Sequence, residues 1–172
     1  NFSIVNKKDH HISVVDREGR LPLSSSQQRL WFIDCYQKGD SSNYNIPIAI
    51  HLKGKLDKAT LEKSLNHLIL RHESLRTIFK QDSEGNGYQE VLSVNSIEPL
   101  ELEIESVEES KLSLAVTKKA SKSFILGEYP LMRVYLFEIL DACEEYILLV
   151  NQHHIISDGW SVGIFFRELS LI

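Results

Sequence analysis

Hydrophobic positions along the chain change their period several times, and each change marks a boundary between elements. Residues 1–20 hold no sustained period and read as a linker or arm, with His10 and His11 as solvated loop histidines. From Leu21 the pattern tightens. Ser24, with Gln27 three residues on, forms the signature of a capping box. It predicts a helix that carries Leu30, Trp31, Ile33 and Tyr36 and ends before Gly39. After the loop to Pro47, the segment IPIAIHLKG (46–54) comes to alternate apolar and polar residues and predicts a strand. Asp57 opens an amphipathic helix whose Leu61, Leu65, Leu68 and Ile69 build one apolar stripe, closed by Arg71 and His72.

A strand over LRTIFK (75–80), a glycine-containing turn over QDSEGNG (81–87) and a return strand over YQEVLSV (88–94) follow. The acidic run Glu98–Glu109 reads as a solvated edge. A weaker helical period covers Glu108–Ser121. LMRVYLFEIL (131–140) and YILLV (146–150) predict two strands joined by a polar turn, a hairpin deep in a sheet. A final helix carries Val162, Phe165, Phe166 and Leu169. The expected fold class is α/β, an α+β sandwich in which helices pack on a mixed sheet containing antiparallel strands.

Length and charge narrow the functional classes. The 172 residues suffice for one domain with a real core and are short for two. A formal net charge of −5 argues against nucleic acid or an anionic membrane as the main partner. No stretch approaches the ~20 apolar residues that span a bilayer, and residues 1–20 do not form a signal peptide. Cys35 and Cys143 lack metal-type spacing, so reduced thiols in a cytoplasmic protein are the simpler reading.

The chemistry concentrates in QHHIISDGWS (152–161), which follows an apolar strand and precedes a helix. Adjacent residues on a strand point to opposite faces, so of His153 and His154 one is expected inside and the other at a cleft. Either order fits the residues alone. Asp158 or Ser157 can cap the last helix, where its dipole favours a carboxylate. Gly159 lets a substrate approach the backbone, and an N–H there could assist an oxyanion. A buried strand histidine is often only a core residue. Zinc needs about three protein ligands, and one histidine with Asp158 falls short, so no metal is expected. Neither Ser157 nor Cys143 sits in a nucleophile elbow. What is left is a histidine acting on substrates that bring their own nucleophile and electrophile.

HHIISDGWS (153–161) resembles the His-His-x-x-x-Asp-Gly signature of condensation domains from nonribosomal peptide synthetases. Three further segments agree in order. LSSSQQRLWFI (23–33) resembles the SxAQxRLWxL motif, with Ser26 in place of alanine. RHESLRTIF (71–79) is similar to RHExLRTxF at every fixed position, and SFILGEYPLMRV (123–134) resembles the FDL…PL.R segment, with Ile125 in place of aspartate. Ser24–Trp31 is also explained by capping plus a core-facing aromatic. Arg71 and Arg76 flank a helix end, where a cation complements the dipole, and read as structural.

The resemblance implies chloramphenicol-acetyltransferase-like lobes facing each other across a V-shaped groove. Upstream and downstream peptidyl carrier proteins dock at its ends, each presenting a substrate on 4′-phosphopantetheine, and no cofactor binds the domain directly. The acceptor amine attacks the donor thioester and an amide forms. By position His154 is the catalytic residue, His153 is structural, and Asp158 orients the site through an ion pair. Residues 21–172 are expected to be the N-terminal lobe, partnered by a C-terminal lobe and neighbouring synthetase domains, and inactive alone. The SDGWS continuation favours ordinary condensation over an epimerization or ester-forming relative, and leans towards an L-donor subtype. A non-catalytic alternative is a carrier-protein docking module that uses residues 1–20 as its arm.

Overall fold

A computed structural model describes residues 19–37 and 42–172. Residues 1–18 of the arm, with His10–His11, and Gly39 therefore lie outside the described residues. Leu21–Pro22 (β1) precedes helix Ser25–Tyr36 (α1), whose N-cap Ser24 and Gln27 make the reciprocal capping box. Strand Asn45–Lys53 (β2) leads to helix Lys58–Arg71 (α2), with Asp57 accepting from the Thr60 N–H at its start. A single 3₁₀ turn, Glu73–Arg76, then feeds Thr77–Gln81 (β3) and Gly87–Val91 (β4). The expected strand at Leu75 thus begins two residues later, after the turn.

Glu103–Val107 (β5), helix Glu109–Ala120 (α3), Met132–Ile139 (β6), Glu145–His153 (β7) and helix Gly159–Leu169 (α4) complete the order. The described residues form two sheets, β1-β4-β3 and β2-β7-β6-β5. In the second, β7 pairs antiparallel with both β2 and β6, and β5 joins β6 in parallel. β5 corrects the expectation of a merely solvated edge. It is an edge strand, and only Val107 of it is buried, so charge on its open side costs little. Its sequence sign is the alternation of Leu100, Leu102 and Ile104 with glutamates.

The two faces of the four-stranded sheet carry separate cores. Leu136, Leu148 and Val150 meet Leu65, Leu68 and Ile69 of α2 and Phe165 of α4 in the larger cluster. Tyr135, Phe137 and Leu149 meet Leu112, Ala115 and Val116 of α3 on the other face. Each fully buried aliphatic side chain contributes about 1.5–3 kcal/mol, so β6 and β7 are the most strongly anchored strands.

α1 has no fully buried residue; its Leu30 and Trp31 pack against the larger core, and Trp31 makes a close approach to β4. A Cβ at Gly87 would stand 2.7 Å from Trp31 Cδ2 and 2.8 Å from Leu23 Cδ1. Only glycine in β4 allows the indole to seat there. Gly87→Ala is expected to cost about 1–3 kcal/mol by overpacking, read as a lower denaturation midpoint. An unchanged midpoint would mean that α1 is held elsewhere.

Candidate active site

β7 ends on His153, His154 opens the turn after it, and both backbones are clamped by neighbouring segments. The His153 N–H donates to the Leu131 carbonyl (3.0 Å) and the His154 N–H to the Tyr44 carbonyl (2.8 Å). Strand alternation then separates the rings. His153 is 1% exposed and lies between Tyr44 and Phe124, the latter edge-on at 6.2 Å. Its Nδ1 accepts from the Ile155 N–H at 3.1 Å, which places the proton of the neutral ring on Nε2. Burial, with a smaller effect from His154, holds its pKa down at about 4. Near neutral pH this ring is uncharged.

His154 is exposed. Its Nδ1 stands 2.7 Å from the Ser157 carbonyl oxygen, which can only accept. Nδ1 therefore carries the proton, and Nε2 of the neutral ring keeps a free lone pair. Asp158 caps α4, accepting from the Ser161 N–H (2.8 Å) and hydroxyl (2.9 Å), while the Asp158 N–H donates to Ser161 Oγ. Those hydrogen bonds hold its carboxyl below the usual range, with a smaller contribution from His154. Asp158 is thus a negative charge fixed at the helix entrance.

His154, Asp158 and Ser161 line a cleft of about 660 Å³ with Tyr44, Ser74 and one face of α1. The α1 face is formed by Ser26, Arg29, Leu30 and Ile33, behind the capping residues Ser24 and Gln27. Three separate sequence motifs therefore meet at one opening. Ser26 and Arg29 stand at positions of the 23–33 motif, though the sequence alone does not place them on the cleft, and Ser74 and Tyr44 are site residues at no fixed motif position. For Ser26, Arg29 and Ile33 the helical spacing was a usable sign. Ser74 and Tyr44 arrive through turns and carry no local signal.

The other expected residues lie off the cleft. Arg71 Nε is 3.5 Å from a Glu168 carboxylate oxygen. Arg76 donates through Nη1 to the Leu92 carbonyl (2.5 Å), faces Glu73 at 3.7 Å, and is mostly buried. Gly159 is the first residue of α4, and a methyl there would meet nothing within 4 Å. Gly159→Ala should leave stability unchanged or raise it by up to ~1 kcal/mol in urea denaturation. A clear loss would show that the position is packed.

Cys35 and Cys143 are free and exposed. Among the described residues no three His, Cys, Asp or Glu side chains are grouped as metal ligands, and no helix is long and apolar enough to cross a membrane.

Comparison with known proteins gives this geometry its class. A family model described as "Condensation domain" matches residues 17–172. The chain belongs to the condensation-domain family. It is 42% identical over 154 residues to a dimodular nonribosomal peptide synthase of Bacillus subtilis (strain 168), covering 90% of this chain and 6% of that protein. It is 43% identical over 162 residues to a linear gramicidin synthase of Brevibacillus parabrevis, covering 92% of this chain and 2% of that protein.

Among solved structures, the X-domain from teicoplanin biosynthesis superposes with a TM-score of 0.79 at 29% identity, over 91% of this chain and 32% of that one. The first condensation domain of the CDA synthetase superposes with a TM-score of 0.77 at 20% identity, over 89% of this chain and 40% of that one. The mixed α/β fold with helices on its sheets is the one these neighbours share. The chain spans only a small part of its curated relatives and 32–40% of these two solved chains.

Proposed function

We propose that this chain supplies the histidine-bearing wall of a condensation site, where two carrier-bound thioesters are joined through an amide. The observation that carries the reading is the Nδ1–H···O=C bond from His154 to Ser157. It fixes the tautomer in which Nε2 can accept a proton, on a side chain that lines the 660 Å³ cleft.

In the reaction, the acceptor amine nitrogen attacks the donor thioester carbonyl and the C–N bond forms. His154 Nε2 takes the proton that the amine sheds. The adduct then expels the pantetheine sulfur as the C–S bond breaks, and the proton leaves with the thiol. A neutral imidazole with a free ring nitrogen can take up and return a proton in this way. His153, neutral and packed, fixes the strand end, and Asp158 keeps α4 in place beside the ring.

The open cleft, with serine, glutamine and arginine on its α1 side, suits an extended polar arm such as the phosphopantetheine of a carrier. His154 is exposed, and among the described residues nothing shields a thioester there from water. The 172-residue chain is accordingly the N-terminal lobe, residues 21–172, and does not condense unless a second lobe closes the groove.

Titration with a pantetheinylated carrier protein, followed by amide NMR, tests the placement. Shifts near His154 and Gly159 support it. Shifts confined to residues 1–20 would instead assign the chain to carrier docking.

A further inference from the structure

The RHE motif at the end of α2 touches the site through an element the proposed reaction leaves unused. His72, the C-cap of α2, sets its Nε2 2.6 Å from Glu168 Oε2 in the last turn of α4. Arg71 Nε approaches the same oxygen at 3.5 Å. The pair is mostly shielded, at 31% side-chain exposure for His72 and 19% for Glu168. The His72 contact is the main cause holding the Glu168 carboxyl below its usual range.

α4 needs such a fixture. Phe165 is its only fully buried residue, with Phe166 and Leu169 packed at the edge of the core, and a partly open pocket of about 60 Å³ lies beside it. His72, Ser74, Ser157, Ser161 and Phe165 are among the pocket's walls, so it reaches from the RHE turn to the backbone that orients His154. An 11-residue helix is about 16 Å long, so movement at Glu168 is carried to the Asp158 cap at the other end.

We infer that His72 and Glu168 are a positioning pair, which ties α2 to α4 and so holds the Asp158 cap and the Ser157 carbonyl in register with His154. This rests on His154 being the active group of the proposed function. Without the pair α4 can shift into this pocket. Ser157 then moves, the Nδ1–H bond is lost, and His154 samples the wrong tautomer. Neither His72 nor Glu168 lines the cleft, so neither is a catalytic residue.

The test reads the His154 ring directly, by long-range ¹H–¹⁵N correlation on the ¹⁵N-labelled 172-residue chain at about pH 8. The wild type is expected to show the single Nδ1–H pattern. His72→Ala and Glu168→Ala should lose it and show both tautomers while still unfolding cooperatively. His72→Gln, which restores an amide donor, should recover it. Glu168→Leu, which keeps similar bulk without an acceptor, repeats the reading should the alanine variant fail to fold. Lys58→Ala, which cuts the Lys58–Glu138 ion pair at the other end of α2, should leave the pattern as in the wild type.

An unchanged pattern in His72→Ala and Glu168→Ala overturns the inference, as does an equal change in Lys58→Ala. No substrate is involved. A responsive tautomer here, with no amide formed by a two-lobed domain built on this chain, would therefore count against the proposed function and leave the positioning pair standing.

Discussion

Between pH 6.5 and pH 4 the fold loses about 3 kcal/mol through one buried ring, that of His153. The folded-state pKa lies near 4 against an ordinary 6.5, so the unfolded chain takes up a proton over this range and the folded chain does not. Stability is complete above the unfolded value and falls as the pH drops towards the folded one. Each pH unit between the two is worth about 1.36 kcal/mol. That is a large share of the roughly 5–15 kcal/mol typical of a domain. Carboxyls held low by hydrogen bonds, including those of Asp57, Asp82, Glu138 and Asp158, lose their contribution only as the pH falls through their own lower range. Urea denaturation across this pH range separates the two effects. His153→Gln should be less stable at pH 7 yet nearly flat from pH 6.5 to 4. Equal slopes in both proteins would show that His153 is not the titrating group.

How much of this was legible in the sequence depended on where the information was local. The capping boxes, the apolar stripe of α2 and the β6–β7 hairpin each follow from residues within a turn or strand of one another. β5 did not stand out, because its charged positions face solvent at a sheet edge while its partner β6 is reached only after α3. The site divides in the same way. That His153 and His154 must face opposite ways follows from strand geometry. Which one faces inward was set by Tyr44 and Phe124, residues distant in sequence. The convergence of Arg29, Ser74 and His154 on one cleft is tertiary, as is the grip of His72 on Glu168.

His154→Ala should give the largest functional effect. The ring is exposed and its side chain makes one short hydrogen bond, to Ser157, so removing it costs the fold little. The reaction loses its proton acceptor, and a general base is worth about 10²–10⁴-fold. In barrier height that is roughly 3–5 kcal/mol. Turnover should persist above background, because holding amine and thioester together is worth an effective molarity of ~10⁵ M or more. His154→Gln should not rescue, since an amide can hydrogen-bond but not take the proton.

The most direct measurement is single-turnover amide formation by a two-lobed condensation domain built on this chain, with both carriers loaded and the product followed by mass spectrometry. The wild-type domain should form the amide, His154→Ala should slow it by about 10²–10⁴-fold with thermal unfolding unchanged, and the 172-residue chain alone should form none. Equal rates for wild type and His154→Ala would contradict the assignment of this histidine, and with it the account of the cleft.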